Sequence, residues 1–157
     1  MNLQDYLIDQ DGKDWGRLLS DWVPPLPASF TLWLVNRFGD AFVVTDDGAV
    51  SMLDIGGGSF KRLAGSRDEF ADLLDVDDNA INWLMIPLVD KCVAAGITLT
   101  ANQCYGFKHP PMLGGKYDVD NVEPTDLAVH YGLLGQIYQQ TKDLPDGTPI
   151  TRVILEE

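Results

Sequence analysis

The feature that most constrains the fold is a pair of tight turns that separate three short apolar runs. Residues 41–44 and 50–55 are rich in branched and aromatic side chains, and Asp46-Asp47-Gly48 lies between them. An Asp-Gly pair between two such runs is typical of a β-hairpin. Gly56-Gly57-Gly58 makes a second turn and leads into residues 59–63. The spacing therefore predicts an antiparallel meander of three strands, and we interpret the three glycines as a turn rather than a phosphate cradle, which requires a defined spacing before a helix.

Helical spacing precedes this meander. Residues 14–22 carry apolar side chains at i, i+3, i+4 and i+7, which predicts a short amphipathic helix that the prolines after it end. In the next segment, Ser29 is suited to an N-cap and Gly39 to a stop. We therefore predict a second helix over this segment, with one apolar side formed by Phe30, Trp33, Leu34 and Phe38.

Two more helices are predicted after the meander. Ser66 and Glu69 have the spacing of a capping box, in which each side chain bonds the backbone amide of the other residue. The inward face of this helix is predicted to comprise Phe70, Leu73 and Leu74. The next helix ends at Gly96, and Pro87 inside it leaves open whether the helix restarts at the proline or kinks there. Its apolar face is predicted to comprise Leu84, Leu88, Cys92 and Val93.

The last third of the chain alternates between strand and helix patterns. We predict strands over residues 99–107, 126–129 and 150–155, and a helix over residues 130–142. The apolar stripe of that helix is expected to pack on the domain's own sheet rather than on a partner. Together the patterns predict an α+β fold: a single domain with a mainly antiparallel sheet and helices packed against it.

Two glycines near the C-terminus stand in turn sequences. Gly114 follows Pro110 and Pro111 in a Pro-Pro-Met-Leu-Gly-Gly run, and Gly147 ends the run Leu-Pro-Asp-Gly. Turn positions of this kind favour a positive φ, which is costly for residues with a Cβ atom. We therefore predict a left-handed conformation at both glycines.

The charge of the chain indicates which kinds of partner it can bind. The 157 residues include 24 acidic and 11 basic side chains, and the formal net charge is −13. Such a chain repels phosphate backbones and anionic lipids, so nucleic acid and membrane partners are disfavoured. It attracts a basic protein, although the alternative that the charge only maintains solubility stays open. The first residues lack a secretory pattern and no apolar run reaches the ~20 residues of a membrane span, so we expect a cytoplasmic protein.

Neither histidine nor cysteine spacing predicts a metal site. His109, His130, Cys92 and Cys104 include no C-x-x-C or H-x-x-x-H pair. We expect the histidines to make local hydrogen bonds and the cysteines to be reduced and buried. The acidic run over residues 75–79 lacks the glycine and glutamate of a calcium loop. Because no nucleophile motif occurs either, we predict no cofactor, no metal and no enzymatic activity.

Several motifs together resemble a known family. They comprise Phe38-Gly39-Asp40, Gln103-Cys104-Tyr105-Gly106-Phe107-Lys108, Pro111-Met112-Leu113-Gly114-Gly115, Asn121-Val122, Leu133-Leu134-Gly135-Gln136-Ile137 and Leu144-Pro145-Asp146-Gly147-Thr148. On these motifs, from Phe38 to Ile150, the chain resembles the C-terminal domain of Tdi1-type immunity proteins of bacterial type VI secretion. A looser resemblance links Pro27 to Gly39 with the Smi1/Knr4 (SUKH) immunity superfamily, in which a Pro-led helix precedes an antiparallel sheet.

The resemblance implies both an organisation and a function. Residues 38–157 would form a Tdi1 C-terminal-like domain with a Smi1/Knr4-like fold, and residues 1–37 a helical lead-in packed on the same core. The chain would be a cytoplasmic immunity protein that binds and neutralises a cognate toxin, a basic nuclease effector of a type VI secretion system. One alternative is a Smi1-type adaptor or scaffold domain without a toxin. Another is a small enzyme whose acid and base cannot be selected among 24 carboxylates.

A dense acidic segment is the candidate partner-binding surface. Six acidic residues fall within the eleven positions from 68 to 78, and Arg67 lies just outside. If the apolar positions of the capped helix point inward, the carboxylates at 68, 72 and 75 share its outer side. The opposing interpretation is a solvated face that only repels. We define the acidic face by its predicted partner-binding residues: Asp68, Glu69, Asp72, Asp75, Asp77 and Asp78.

Overall fold

The predicted meander forms part of a four-stranded antiparallel sheet in the computed structural model, which describes residues 2–145. The strands follow one another in the order in which they occur in the chain. The predicted α+β fold with a mainly antiparallel sheet is confirmed for this single domain. The predicted strand over residues 150–155 and Gly147 lie outside the described residues. The four strands are β1 (Thr31–Val35), β2 (Ala41–Val44), β3 (Val50–Asp54) and β4 (Ser59–Ala64).

The helix predicted between Ser29 and Gly39 was wrong, because this segment contains β1. β1 pairs with β2, and the register shifts between Leu32 and Leu34. Leu32 packs in one apolar cluster, while Trp33 and Leu34 pack in the other. A strand with both faces covered gives a continuous apolar run, and an extra residue at a bulge disturbs its period of two. The apolar spacing therefore resembled that of a helix.

The sheet lies between two apolar clusters. Ala41 and Val43 contribute to the first cluster, and Phe42 contributes to the second, as the alternation of side chains along a strand requires. Trp22, which is fully buried, joins the first cluster together with the long C-terminal helix. Both faces of the sheet are therefore covered, and neither presents a broad surface to solvent.

Five α-helices and a second, two-stranded sheet complete the described part of the chain. Strands β5 (Gln103–Phe107) and β6 (Val122–Asp126) are antiparallel. Short 3-10 helices span Leu3–Tyr6, Ser20–Trp22, Pro111–Leu113 and Val119–Asn121. The predicted helix over residues 14–22 is thus present as one α-turn followed by a 3-10 turn. The α-helices are α1 (Trp15–Leu18), α2 (Arg67–Leu74), α3 (Asn79–Trp83), α4 (Ile86–Ala94) and α5 (Leu127–Thr141).

The helix around Pro87 restarts rather than kinks. α3 ends at Trp83, Met85 has a positive φ of 51°, and Pro87 lies in the first turn of α4, where a missing amide is tolerated. Leu84, Leu88 and Cys92 are buried as predicted, and Cys104 is buried too. Val93, however, is 63% exposed, so its place on the predicted apolar face was wrong.

The strand predicted over residues 126–129 was also wrong. β6 ends at Asp126, and the Oδ1 atom of Asp126 accepts hydrogen bonds from the amides of Ala128 (2.9 Å) and Val129 (3.4 Å). Asp126 is therefore the N-cap of α5, which starts three residues earlier than predicted. Leu134 and Ile137 on α5 are buried in the first cluster, so the stripe of this helix packs on the sheet as predicted.

A glycine-rich contact joins the β3–β4 turn to the Pro-Pro segment. The Met112 amide donates to the Gly56 carbonyl at 3.1 Å, and a Cβ atom on Gly58 would lie 2.5 Å from the Met112 sulfur. Gly114 has a φ of +96°, which confirms its predicted left-handed conformation. The glycines at this contact therefore serve close packing and a tight turn.

The turn Asn36–Asp40 between β1 and β2 is tied to α5. The Nε2 atom of His130 bonds the Phe38 carbonyl at 2.9 Å, and the Tyr131 hydroxyl donates to the Gly39 carbonyl at 2.7 Å. The Asp40 carboxylate accepts from Asn36 Nδ2 and from the Ile55 amide, both at 2.9 Å. Burial, and then the charge of Asp54, raise the pKa of Asp40. The Phe38-Gly39-Asp40 motif is thus a buried structural joint.

The buried imidazole of His130 makes the stability of this joint depend on pH. Burial lowers the pKa of His130 from 6.5 to about 4, because the charged form loses its hydration. The unfolded chain then binds more protons in this range, so stability is lost as pH falls from 6.5 towards 4. The difference in pKa corresponds to roughly 3 kcal/mol. Urea unfolding near neutral pH and near the folded pKa measures this contribution when the wild type is compared with a variant that does not titrate at position 130.

The variant His130→Gln is the comparison, since glutamine keeps an amide donor but does not titrate. The raised pKa of Asp40 gives the opposite slope, because its stabilisation is lost as pH rises, and it acts in both proteins. We therefore expect the wild type to lose more stability, or to gain less, than the variant as pH falls from 6.5 towards 4. Equal acid slopes for the two proteins would contradict the role assigned to His130.

Candidate functional site

The helix that carries the acidic face starts at a well-formed cap. The Ser66 hydroxyl accepts from the Glu69 amide at 3.1 Å, as the capping box predicts. The Glu69 carboxylate, however, accepts from the Gly65 amide at 3.2 Å rather than from that of Ser66. The second hydrogen bond of the predicted capping box is therefore made by the amide of Gly65, one residue before the predicted donor. The cap fixes where α2 begins and hence which of its side chains face outward.

Removal of this cap should loosen α2 without affecting the sheet. We expect Ser66→Ala to lower the free energy of unfolding by about 1 kcal/mol, because the Glu69 amide loses its acceptor. Ser66→Asp, which keeps an acceptor at the helix N-terminus, should retain most of the stability. Urea denaturation of both variants checks this expectation, and an alanine variant as stable as wild type would contradict it.

Aromatic packing holds the inner side of α2. Phe70 is 1% exposed, and its ring lies 5.2 Å from that of Trp83, nearly parallel to it. Trp33 and Phe42 approach the same ring at 5.3 and 5.7 Å. Leu73 and Leu74 are half-buried against the same cluster, so the predicted inward positions of α2 are confirmed. The outer side of the helix is thereby left to its charged residues.

The structure leaves every residue of the acidic face exposed. Asp68, Glu69 and Asp72 lie on α2, Asp75 caps its C-terminal end, and Asp77 and Asp78 occupy the turn before α3. The face therefore runs along one helix and round its end. Its density of like charge, with no lysine or arginine among residues 68–78, gives a local negative potential that a cationic surface would neutralise.

The turn between α2 and α3 has a defined conformation. Asp77 has a positive φ of 48°, and Asn79 Nδ2 donates to the Leu73 carbonyl at 2.8 Å. The Asn79 amide also donates to the Val76 carbonyl at 3.2 Å. These bonds satisfy the end of α2 and fix the turn in place. The acidic residues of this turn are therefore attached to a backbone of defined conformation.

Two exposed aliphatic side chains accompany the acidic face. Val76, in the turn, is 45% exposed, and Ile81, on α3, is 39% exposed. Binding surfaces of proteins commonly combine apolar residues with a polar rim. Neither residue was predicted from the sequence, although Val76 stands between two acidic neighbours in a turn, and that pattern is visible in the sequence.

The other candidate chemical groups are engaged within the fold. His109 Nε2 bonds the Leu113 carbonyl at 2.8 Å, which is a local hydrogen bond as predicted. His130 instead bonds the carbonyl of Phe38, 92 residues away in the chain, so the local hydrogen bond predicted for it was wrong. Burial raises the pKa of the Cys104 thiol, which disfavours the reactive thiolate. Among residues 2–145, no group of three or more His, Cys, Asp or Glu side chains is arranged to hold a metal ion.

In the part of the chain that the structure covers, no helix is both long and apolar enough to span a membrane.

Residues 64–138 match the family model of the C-terminal domain of the T6SS immunity protein Tdi1. The match supports the resemblance of this chain to Tdi1-type immunity proteins. The Tdi1-type segment, as we name these residues, runs from the end of β4 through the acidic face into α5. It includes the resemblance motifs from Gln103 to Ile137, while Phe38-Gly39-Asp40 and the motif from 144 to 148 lie outside it.

The match does not test two of the expectations drawn from the sequence, and both stay predictions. The boundary between residues 1–37 and 38–157 lies outside the Tdi1-type segment. The Smi1/Knr4 resemblance of Pro27 to Gly39 also lies outside it, and the Pro-led helix on which that resemblance depended is the strand β1.

Two curated proteins are similar to part of the chain. Over 81 residues it is 38% identical to the fatty acid oxidation complex subunit alpha of Pseudomonas savastanoi pv. phaseolicola and of Pseudomonas syringae pv. tomato. The alignment covers 43% of this chain and 11% of each relative. Because the chain spans only about a tenth of those proteins, the activity in their name is not carried over to it.

Proposed function

We propose that this chain is a cytoplasmic immunity protein of a type VI secretion system that binds and neutralises a cognate toxin. The observation that supports the proposal is the Tdi1-type match over residues 64–138, within which every residue of the acidic face is exposed. We further propose that the toxin is a basic nuclease effector. A nuclease that binds phosphates offers cations, and carboxylates on an inhibitor are suited to occupy them.

The proposed mechanism is occlusion rather than chemistry. A net charge of −13 steers a basic toxin towards the chain, and the carboxylates of the acidic face then meet its cations. Val76 and Ile81 supply apolar contacts beside those charges. The bound chain would exclude nucleic acid from the toxin by shape and by repulsion of phosphate.

The proposal is tested by protection in cells and by inhibition in solution. The probe is the protein encoded by the gene next to that of this chain, expressed from an inducible promoter in a bacterial host. We expect that protein alone to arrest growth and degrade DNA, and co-expression of the chain to restore growth. An equimolar amount of the purified chain should stop DNA cleavage by the purified toxin. Continued arrest and cleavage in the presence of the folded chain would overturn the proposal.

A further inference from the structure

An open groove lies between the N-terminal segment and α4, and no residue of the acidic face lines it. It encloses about 520 Å³. Tyr6, Val89 and Tyr105 are buried at its floor, and Ile97 and Leu99 are half-buried along its wall. Val93 stands at its rim and, at 63%, is the most exposed large apolar side chain in residues 2–145. An apolar floor with an exposed valine beside it is the kind of concave surface that takes an apolar anchor.

The groove continues beyond Arg37. A neighbouring depression of about 270 Å³ shares Arg37 and Leu99 with the groove and is lined on its far side by Asp9. The two hollows together run along the N-terminal segment. An extended stretch of polypeptide fits such a shape better than a compact small molecule does, because its alternate side chains can enter successive hollows.

The charges around the groove indicate the chemistry of its occupant. Asp5 and Asp90 line the groove, and Asp9 lines its continuation. The guanidinium of Arg37 donates to the backbone carbonyls of Asp5 (3.2 Å) and Gln4 (3.4 Å), so this cation is held by the chain's own backbone. Lys13, beside Asp9, likewise donates to a backbone carbonyl, that of Asp9 at 2.8 Å. Three acidic residues therefore line the two hollows, and the two cations beside them are already engaged with backbone carbonyls. A complementary occupant carries positive charge next to its apolar anchor.

The carboxylate at the groove is held in position. Asp90 Oδ1 accepts from the Tyr6 hydroxyl at 2.7 Å, which orients the acid at the edge of the apolar floor. Asp90 is itself exposed on α4 and is thus accessible to a partner. The groove thus combines an oriented carboxylate, Asp90, with an exposed aliphatic side chain, Val93. A surface that carries charge alone lacks this combination.

We propose that this groove binds an extended segment of a basic protein, in which an apolar side chain is flanked by lysine or arginine. The proposal rests on the proposed function in one respect, since it takes the cognate toxin as the source of that segment. The acidic face then mainly raises the association rate, whereas the groove mainly slows dissociation, because buried apolar anchors act on the lifetime of a complex. The groove thereby adds a second contact that the Tdi1-type resemblance did not suggest.

The first experiment uses a probe that does not depend on the toxin. A display library of random peptides is selected on the immobilised chain, and the selected peptides are tested on Val93→Lys and on Asp90→Asn. The lysine removes the apolar rim and repels cations, while asparagine keeps the acceptor for Tyr6. The matched control is Val129→Lys, because Val129 is an equally simple exposed valine (57%) on α5. Thermal unfolding confirms that each variant is folded.

We expect selected peptides to combine an apolar residue with lysine or arginine. Their affinity should fall by about tenfold or more on Val93→Lys, fall on Asp90→Asn, and persist on the Val129→Lys control. Peptides that bind all variants alike, peptides of acidic composition, or the absence of any selected peptide would each overturn the groove proposal.

The second experiment uses the toxin and separates the two proposals. If the chain protects cells, dissociation of the complex should be about tenfold faster for Val93→Lys than for wild type, with the control unchanged. Protection with unchanged dissociation would overturn the groove while leaving the immunity function intact. Failure of the wild type to protect would overturn the immunity function, and the peptide result would still decide whether the groove binds.

Discussion

Replacement of Asn36 with alanine is expected to lower the free energy of unfolding by about 4 kcal/mol. The Oδ1 atom of Asn36 accepts from the amides of Phe38 and Asp40, both at 3.0 Å. Its Nδ2 atom donates to Asp40 Oδ2 and to the Trp83 carbonyl, both at 2.9 Å. One side chain thus satisfies the turn Asn36–Asp40, a buried acid and the end of α3. Alanine leaves these partners buried and unpaired, which costs about 1–3 kcal/mol for each group that water cannot reach.

The matched control for this prediction is Asn121→Ala. Asn121 also bonds backbone groups, accepting from the His109 amide and donating to the carbonyls of His109 and Lys116, all at 2.8 Å. It is partly exposed, so water can replace those bonds and we expect a loss of about 1 kcal/mol. Urea denaturation measures both variants. Similar losses at the two positions would show that Asn36 has no special role in the joint.

Reversal of charge on the acidic face should slow association with the toxin by about tenfold or more at low salt. The triple change of Asp72, Asp75 and Asp77 to lysine replaces carboxylates that are all exposed. Because Asp77 has a positive φ, which lysine adopts less readily than aspartate, thermal unfolding checks that the variant is folded. On the proposed function, the variant repels the cations that the wild type attracts. Stopped-flow association at low and high salt measures the effect, which should shrink at high salt because ions screen exposed charges.

A control with the same change in net charge shows whether position matters. Lysine at Asp11, Asp120 and Glu123 alters three other exposed acids away from α2. We expect the control to slow association much less, because its charges lie outside the proposed interface. Equal slowing by both triple variants would mean that only the net charge steers the toxin. Rates and salt dependence unchanged from wild type in the first variant would show that the acidic face takes no part in binding.

The meander and the caps could be predicted because their causes are local. Asp47-Gly48 between two β-rich runs and the Ser66 cap depend on residues only a few positions apart. The acidic face was predicted for the same reason, since its carboxylates are adjacent in sequence and Phe70 marks the inward side of their helix. The exposure of these residues followed from helical geometry. Their role in binding a partner stays a proposal.

The errors have a common physical cause in contacts between distant residues. β1 is a strand because β2 pairs with it and because apolar clusters cover both of its faces, and its own spacing favours a helix instead. Val93 has the spacing of a buried residue, yet the packing of α4 leaves it at the rim of the groove. Intrinsic propensity and periodicity are weak where tertiary packing decides the outcome.

The α+β class, the turns, the helix caps, the excess of negative charge and the resemblance to the Tdi1 type could all be inferred from the residues alone, because each depends on composition or on neighbouring positions. That Phe38-Gly39-Asp40 is a joint bonded to α5, some ninety residues away, became visible in the folded structure. The same is true of the groove, whose lining from Tyr6 to Tyr105 comes from separate parts of the chain. Such sites exist only after the chain has folded, since burial and hydrogen bonding between remote segments create them.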